Sequence, residues 1–335
     1  MACVDGDLVS LGEVLDEADR LLLAGQAAAP TVLPTGFALL DTYLGGGLRA
    51  GELCLLGGPQ GLGKTAFALQ IARNAAAQGR AAIVLSFEHD TTTLLERLVT
   101  IQAAEQLGVD GLPLRRVRDA LEGRGHPGPS GLEDRLSVSP GGAEAVAALR
   151  AIGDRLLLHR SSGSQTGIGE IREVVRSATA RSGQAPLVVV DYLQKVPADA
   201  PVEDERIALV VAALKDLALE CDVPVLAIVA ADKEGLAAGR RLRAQHLRGP
   251  TALAYEADVL LMMNEKYDVV ARHHLVYDAR AADRYRGYVV LTIEKNRSGL
   301  AKIDLQLRKR LEQSRFEPDI EPVPEELMDE RLHVE

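Results

Sequence analysis

The sequence predicts an α/β fold in which a mostly parallel sheet is flanked by helices and finished by a carboxy-terminal β-hairpin. Two observations predict it. From Pro34 onward, short β-rich apolar runs alternate with helical ones, as strands joined by helical crossovers do. In addition, the run Gly58, Pro59, Gln60, Gly61, Leu62, Gly63, Lys64, Thr65 lies between an apolar stretch, residues 52–57, and a helical pattern that opens at Ala66. A glycine-rich loop between a strand and a helix is the phosphate-binding loop of a P-loop NTPase.

The elements follow in order. Leu8, Leu11, Val14, Leu15, Ala18, Leu21 and Leu22 share one face of a helix, which the soft spacer 24–30 separates from the rest. That helix packs either on its own domain or on a neighbouring subunit. Candidate strands are Cys54–Gly57, Ala82–Phe87, Arg155–His159, Leu187–Asp191, Val225–Ala230 and Val259–Met263. Residues 285–294 and 301–307 alternate as a hairpin would, with Arg297-Ser-Gly299 as its turn. The stretch from Gly108 to Gly142, rich in glycine and proline at 125–131, reads as a surface insertion. The organisation is therefore a helix and linker over 1–33, one ATPase body over 34–310, and an acidic, proline-bearing tail over 311–335 expected to be mobile.

Composition narrows the class. A chain of 335 residues that is 47% hydrophobic can bury a large core. No apolar run approaches the roughly 20 residues that span a bilayer, and the acidic start Met1–Asp7 lacks the basic region of a signal peptide. The expectation is a cytoplasmic protein without a membrane partner. Cys3, Cys54 and Cys221 have no metal-ligand spacing. The net charge of −10 is concentrated at the ends: residues 1–30 carry −5 and 311–335 carry −7, which leaves the body at +2. The acidic total thus neither supports nor excludes a nucleic-acid partner.

Each residue of the phosphate loop has a chemical reason to be there. The glycines let backbone N–H groups turn toward phosphate oxygens, Lys64 reaches the outer phosphates, and the Thr65 hydroxyl suits Mg²⁺. ATP with Mg²⁺ is the expected ligand pair. The apolar strand that ends in Asp191 has the form of the strand holding the acid on the Mg²⁺ side. The residue after it is Tyr192, so the catalytic base comes from elsewhere. Glu88, at the end of the first strand after the loop's helix, can orient the attacking water from the crevice at the strand ends. The competing reading of Glu88 is a solvated strand-end acid, and His89 beside it reads as a surface histidine.

Together these residues resemble the motor domain of DnaB-type replicative helicases, within the RecA-like ATPases. The resemblance runs over residues 34–310. It includes Pro34-Thr-Gly36, Leu40-Asp41, Gly45–Leu48, Ser86-Phe-Glu88, Val190-Asp-Tyr-Leu-Gln194, Leu214–Ala218, Val223–Val225, His246-Leu-Arg248, Glu256-Ala-Asp258 and Lys295–Gly299. It implies that Glu88 is the catalytic base, that Asp191 belongs to the Mg²⁺ strand and that Gln194 couples nucleotide state to nearby loops. It also implies that Lys295 and Arg297 complete the site of the next subunit, as an arginine finger does, in a hexameric ring. Arg240, Arg241, Arg243 and Arg248 form a basic cluster suited to the phosphates of single-stranded DNA. The alternative for that cluster is a set of solvated surface arginines.

The sequence also departs from the family. The amino-terminal primase-interacting domain has no counterpart here, so primase binding is not expected. Val229-Ala-Ala-Asp-Lys233 stands where the family usually carries a polar sensor, which leaves Ala230 at that position. The loop Pro197–Glu205, expected to face the channel, is acidic and repels a phosphate backbone. Two function classes therefore stand beside each other: a helicase-like motor on single-stranded DNA, and a RecA-like ring that acts on protein partners through its terminal helix or acidic tail. A recombination or repair ATPase is a third.

Overall fold

The computed structural model describes residues 8–29, 31–125, 128–232, 240–276 and 281–329. A small antiparallel ribbon, β1 (Val32–Leu33) and β2 (Leu48–Arg49), brackets the short helix α2 (Ala38–Tyr43) at the entrance to the body. The central sheet contains β3 (Leu53–Gly58), β4 (Ala82–Ser86), β5 (Leu156–Arg160), β6 (Leu187–Asp191), β7 (Val225–Ala230), β8 (Val259–Glu265), β9 (Tyr288–Asn296), β10 (Ile303–Arg310), β11 (Arg315–Phe316) and β12 (Glu321–Pro322). Its order is β11-β10-β9-β8-β3-β7-β6-β4-β5, with β12 also paired to β10. The six strands from β8 to β5 are parallel, and the β9–β10 hairpin adds antiparallel strands at one side.

Burial on both faces explains why the parallel strands read as unbroken apolar runs. Alternate residues serve opposite layers: Cys54 and Leu56 pack toward α3 (Lys64–Ala77), whereas Leu53 and Leu55 pack toward the opposite layer. That layer holds α8 (Ile168–Ser182) and α9 (Glu203–Cys221). Each fully buried Leu or Val contributes roughly 1.5–3 kcal/mol. The strands thus form a rigid platform whose carboxyl ends define one crevice.

The 108–142 stretch is the insertion that its glycines and prolines predict. Helices α5 (Leu114–Leu121), α6 (Leu132–Leu136) and α7 (Gly142–Ile152) close a satellite core on α4 (Thr91–Leu107), with Val99, Ala103, Val117 and Leu136 inside. The hairpin starts later than its alternation suggests. Tyr285 and Arg286 end a short helix, Ala281–Arg286, and the strand begins at Tyr288.

The two ends of the chain contrast with the body. Helix α1 (Leu11–Leu23) has a capping box between Ser10 and Glu13 but buries no residue. Leu11, Val14, Leu15 and Leu22 are all exposed. The reading that packs it on its own domain is not what the fold adopts. Residues 311–329, expected as a mobile extension, lie on the body instead. Phe316 is buried against Phe67, and the Gln70 side chain bonds both the N–H and the carbonyl of Phe316 at 2.9 Å. Further on, the chain pairs across Val269–Ala271 through Met328 and Glu326. Hydrophobic contacts of this kind outweigh the polarity of the tail's sequence. Residues 1–7 and 330–335, and Lys233 of the sensor segment, lie outside the described residues.

Candidate functional site

The phosphate loop leaves β3 at Gly58 and enters α3 at Lys64. Gly61 and Gly63 take positive φ values of 76° and 94°, a backbone region that costs other residues steric strain. At Gly63 space is also decisive: a Cβ there would come within 2.8 Å of Leu311 and 2.9 Å of Phe316. The Lys64 ammonium donates to the carbonyls of Gly58 and Pro59, both at 2.7 Å, and so folds over its own loop.

Across the crevice the Thr65 hydroxyl donates to Asp191 at 2.8 Å. Register fixes the next contact. Ser86 of β4 is level with Asp191 of β6, and the Phe87 N–H donates to the Asp191 carbonyl at 2.7 Å. The chain then turns sharply, with the His89 N–H on the Ser86 hydroxyl and Asp90 capping α4 through the Thr93 N–H. Glu88 is held within that turn, facing the loop. Lys64, Thr65, Ala66, Glu88 and Asp191 line a single cavity of about 950 Å³. A cavity of that size accommodates a nucleoside triphosphate.

Burial dominates the electrostatics of the cavity. It pushes the Asp191 carboxyl up to about 6, with the nearby Glu88 charge adding to the rise and the Thr65 hydrogen bond and Lys64 opposing it. Burial also brings the Lys64 ammonium down to about 8, against the pull of Asp191 and Glu88. Both groups hold their charged forms less firmly than in water; a bound phosphate would favour the Lys64 cation and a bound metal the Asp191 anion. The donor set fits Mg²⁺: a hydroxyl and a carboxylate are hard oxygen ligands, and phosphates and water commonly complete such a shell. Mg²⁺ there would polarise the phosphate oxygens and neutralise charge developing on them.

The sequence-predicted loop residues divide into two groups. Gln60, Gly61, Gly63, Lys64, Thr65 and Ala66 line the cavity. Gly58 and Pro59 act through their carbonyls on Lys64, and Leu62 is buried in the core beneath the loop. His89, read as a surface histidine, also faces the cavity, and burial lowers its pKa.

Three features escape a motif search. Arg97 reaches the cavity from α4 with its Nε buried and unpartnered, and burial lowers its pKa while Asp191 pulls the other way. Its signal is weak: an arginine beside Glu96 on a helix that is otherwise mostly apolar from Leu94 to Ile101. Leu311 and Ser314 form another wall, supplied by a segment whose acidic composition points away from the core. Glu203, expected in an acidic loop, is the first residue of α9 and lines the same cavity with Arg248.

A family model described as an AAA domain matches residues 33–235, which is more than half of the chain. The chain belongs to that family. It is 34% identical over 229 residues to the replicative DNA helicase DnaB of Rhodothermus marinus, covering 65% of this chain and 21% of that protein. It is 28% identical over 239 residues to DnaB of Treponema pallidum, covering 69% of this chain and 48% of the relative. The chain thus spans less than half the length of either relative. The solved structure of a DnaB-like replicative helicase and its interactions with primase superposes with a TM-score of 0.70. That match has 21% identity and covers 92% of this chain and 68% of that one. The chain is thus an AAA-family ATPase domain, similar in sequence to replicative DNA helicases and sharing the α/β fold of a DnaB-like helicase structure.

Lys295 and Arg297 lie away from the phosphate loop. Lys295 is level with Leu55, and Arg297 follows a residue level with Cys54, near the start of β3. Along the strand direction Gly58, where the loop begins, is roughly 10 Å from the level of Lys295 and roughly 16 Å from that of Arg297, at 3.3 Å per residue. The Lys295 ammonium donates to the carbonyls of Ala254 and Tyr255, and burial followed by the adjacent Arg297 lowers its pKa. Arg297 donates to the Tyr255 carbonyl and pairs with Asp258 at 3.1 Å. Asp258 also accepts from the Leu53 N–H and from Lys215, both at 2.8 Å.

The arginine cluster is not one surface. Arg241 is 3% exposed and ion-paired to Asp304, which removes it from contact with a phosphate backbone. Arg243 bonds Glu294 at 2.9 Å and Asp329 at 2.6 Å. Arg248 lines the same cavity as the phosphate loop, paired to Glu203 at 2.7 Å. Arg240 opens the same segment, half-buried. The spacing of these arginines suggests a cluster, but tertiary partners disperse it. Gln194 bridges two parts of this region: its amide donates to the Arg248 carbonyl at 2.9 Å and accepts from the Ala230 N–H at 3.2 Å.

Proposed function

We propose that this protein is an Mg²⁺-dependent ATPase that works as a ring-forming motor on single-stranded DNA. The observation that carries the reading is the convergence of Lys64, Thr65, Asp191 and Glu88 on one cavity. Glu88 orients the attacking water and accepts its proton, Lys64 leaves the loop carbonyls for the outer phosphates, and Thr65 with Asp191 holds the metal side. Ring formation is supported by the position of Lys295 and Arg297. Both side chains are held on backbone carbonyls at Ala254 and Tyr255 rather than on the phosphate loop, and the Arg297 side chain is 52% exposed. A neighbouring subunit would receive them, and α1, with its apolar face exposed, supplies a second contact. Gln194 transmits nucleotide state to the loop at Arg248. Similarity to proteins named replicative DNA helicases supports DNA as the polymer.

A second reading is a ring that acts on protein partners without unwinding. It is favoured by Arg241 and Arg243, whose charges are met by the chain's own carboxylates. ATP turnover with and without single-stranded DNA, alongside mass photometry, separates the two. Stimulation by DNA with assembly into rings is expected; unstimulated turnover and no salt-sensitive DNA binding would leave the second reading. For the shared site, mixing Arg297→Ala subunits with Glu88→Gln subunits should restore some turnover. A mixture that forms rings and stays inactive removes the support for a finger supplied between subunits.

A further inference from the structure

The cavity contains a further cation besides Lys64 and Arg97, the guanidinium of Arg248. Ala230, at the end of β7, is level with Gly58, the first residue of the phosphate loop on the adjacent strand. It presents only a methyl group where a polar side chain could monitor the phosphates. Arg248 is fastened beside it. The Arg248 N–H donates to the Ala230 carbonyl at 2.8 Å, and Gln194 holds the carbonyl of Arg248 and the N–H of Ala230 at once.

The Arg248 guanidinium therefore starts from a backbone position locked next to the loop, and it lines the same cavity as Lys64 and Glu88. Its side-chain partner is Glu203, the first residue of α9, at 2.7 Å. We propose that Arg248 distinguishes a nucleoside triphosphate from a diphosphate by moving from the Glu203 carboxylate to the terminal phosphate. This rests on the reading of the cavity as an ATP site.

The energetics favour an exchangeable pair. Arg248 and Glu203 are 52% and 42% exposed, so solvent screens their attraction and the pair contributes little to folding. A phosphate offers more negative charge and a bidentate match to the planar guanidinium. A diphosphate lacks the group that competes with Glu203, so Arg248 stays on the carboxylate. The move also carries information outward, because the Arg248 carbonyl is tied through Gln194 to the segment that follows the Asp191 strand.

The test measures binding of ADP and of a non-hydrolysable ATP analogue to the full chain in Mg²⁺. Variants are Arg248→Ala, Arg248→Lys, Glu203→Gln and, as a control, Lys64→Ala, with thermal melts to establish folding. Arg248→Ala should weaken the ATP analogue about tenfold and leave ADP unchanged. Arg248→Lys should retain part of the preference, and Glu203→Gln should tighten the ATP analogue alone. The proposal is overturned if folded Arg248→Ala and Arg248→Lys keep the wild-type ratio of ATP-analogue to ADP affinity. It is equally overturned if they lose single-stranded DNA affinity with that ratio intact, which would make Arg248 a nucleic-acid contact. If Lys64→Ala binds both nucleotides as the wild type does, the ATP-site reading itself fails.

Discussion

The phosphate loop and the arginine segment 240–248 both present cations, yet they hold them by opposite means. Lys64 rests on two backbone carbonyls of its own loop, so its place is set within seven residues. Arg241, Arg243 and Arg248 are each placed by a carboxylate far away in the chain: Asp304, Glu294 with Asp329, and Glu203. Backbone geometry makes a motif portable, whereas side-chain pairing makes a function depend on the whole fold. A short pattern therefore identifies one region and misjudges the other.

Three measurements sharpen this contrast, beginning with the largest effect. On the loop side, Glu88→Gln should lower kcat by about 10²–10⁴ while nucleotide affinity stays near the wild type, since a general base acts in the chemical step. A loss of affinity equal to the loss of rate would remove Glu88 from that role. Next, Asp191→Asn should abolish turnover and yet stabilise the nucleotide-free protein. Folding raises this carboxyl's pKa to about 6, so the folded state binds its proton more tightly than the unfolded one does. The charged form therefore destabilises the fold above pH 6, by roughly 3 kcal/mol for a rise of this size. That effect fades as pH falls through 6 and disappears below the ordinary carboxylate value. Melts at pH 7.5 and pH 3.5 check the sign, and a stabilisation that grows toward acid would contradict burial as its origin.

On the arginine side the effect is on stability. Arg241→Ala leaves Asp304 without its buried partner and should cost about 2 kcal/mol, less than a fully buried pair because Asp304 retains some solvent. Arg248→Ala, from a half-exposed pair, should change stability by no more than about 0.5 kcal/mol. Chemical denaturation of the two variants compares them directly. Equal losses would mean that burial does not divide the segment as described.

Legibility in the sequence follows the same division. The parallel strands are readable because each is apolar on both faces, and the run Leu187–Asp191 ends in an acid where the sheet meets the crevice. Glu88 is readable from its place at a strand end beside Asp191. Arg97 is not, since it stands among other polar residues of the same helix, Glu96, Thr100 and Gln102, and nothing in its spacing sets it apart. The segment 311–329 is misjudged because composition averages over positions. Leu311, Phe316 and Ile320 carry its packing, while Glu325 and Asp329 pair with Lys266 and Arg243. Helix α1 shows the converse case, an amphipathic pattern legible in sequence whose apolar face finds no cover among the described residues.

The contact of Leu311 and Phe316 with Gly63 and Phe67 has a consequence for how the molecule is made. The segment that walls the phosphate loop is joined to it across 246 positions, through Gln70 and Phe316. Contacts so distant in sequence are among the slower ones to form, and synthesis delivers them last. A growing chain can contain the entire glycine-rich motif and still lack the finished cavity. The cavity thus becomes a report on the completed fold, closed only when Leu311 and Ser314 have taken their places in its wall.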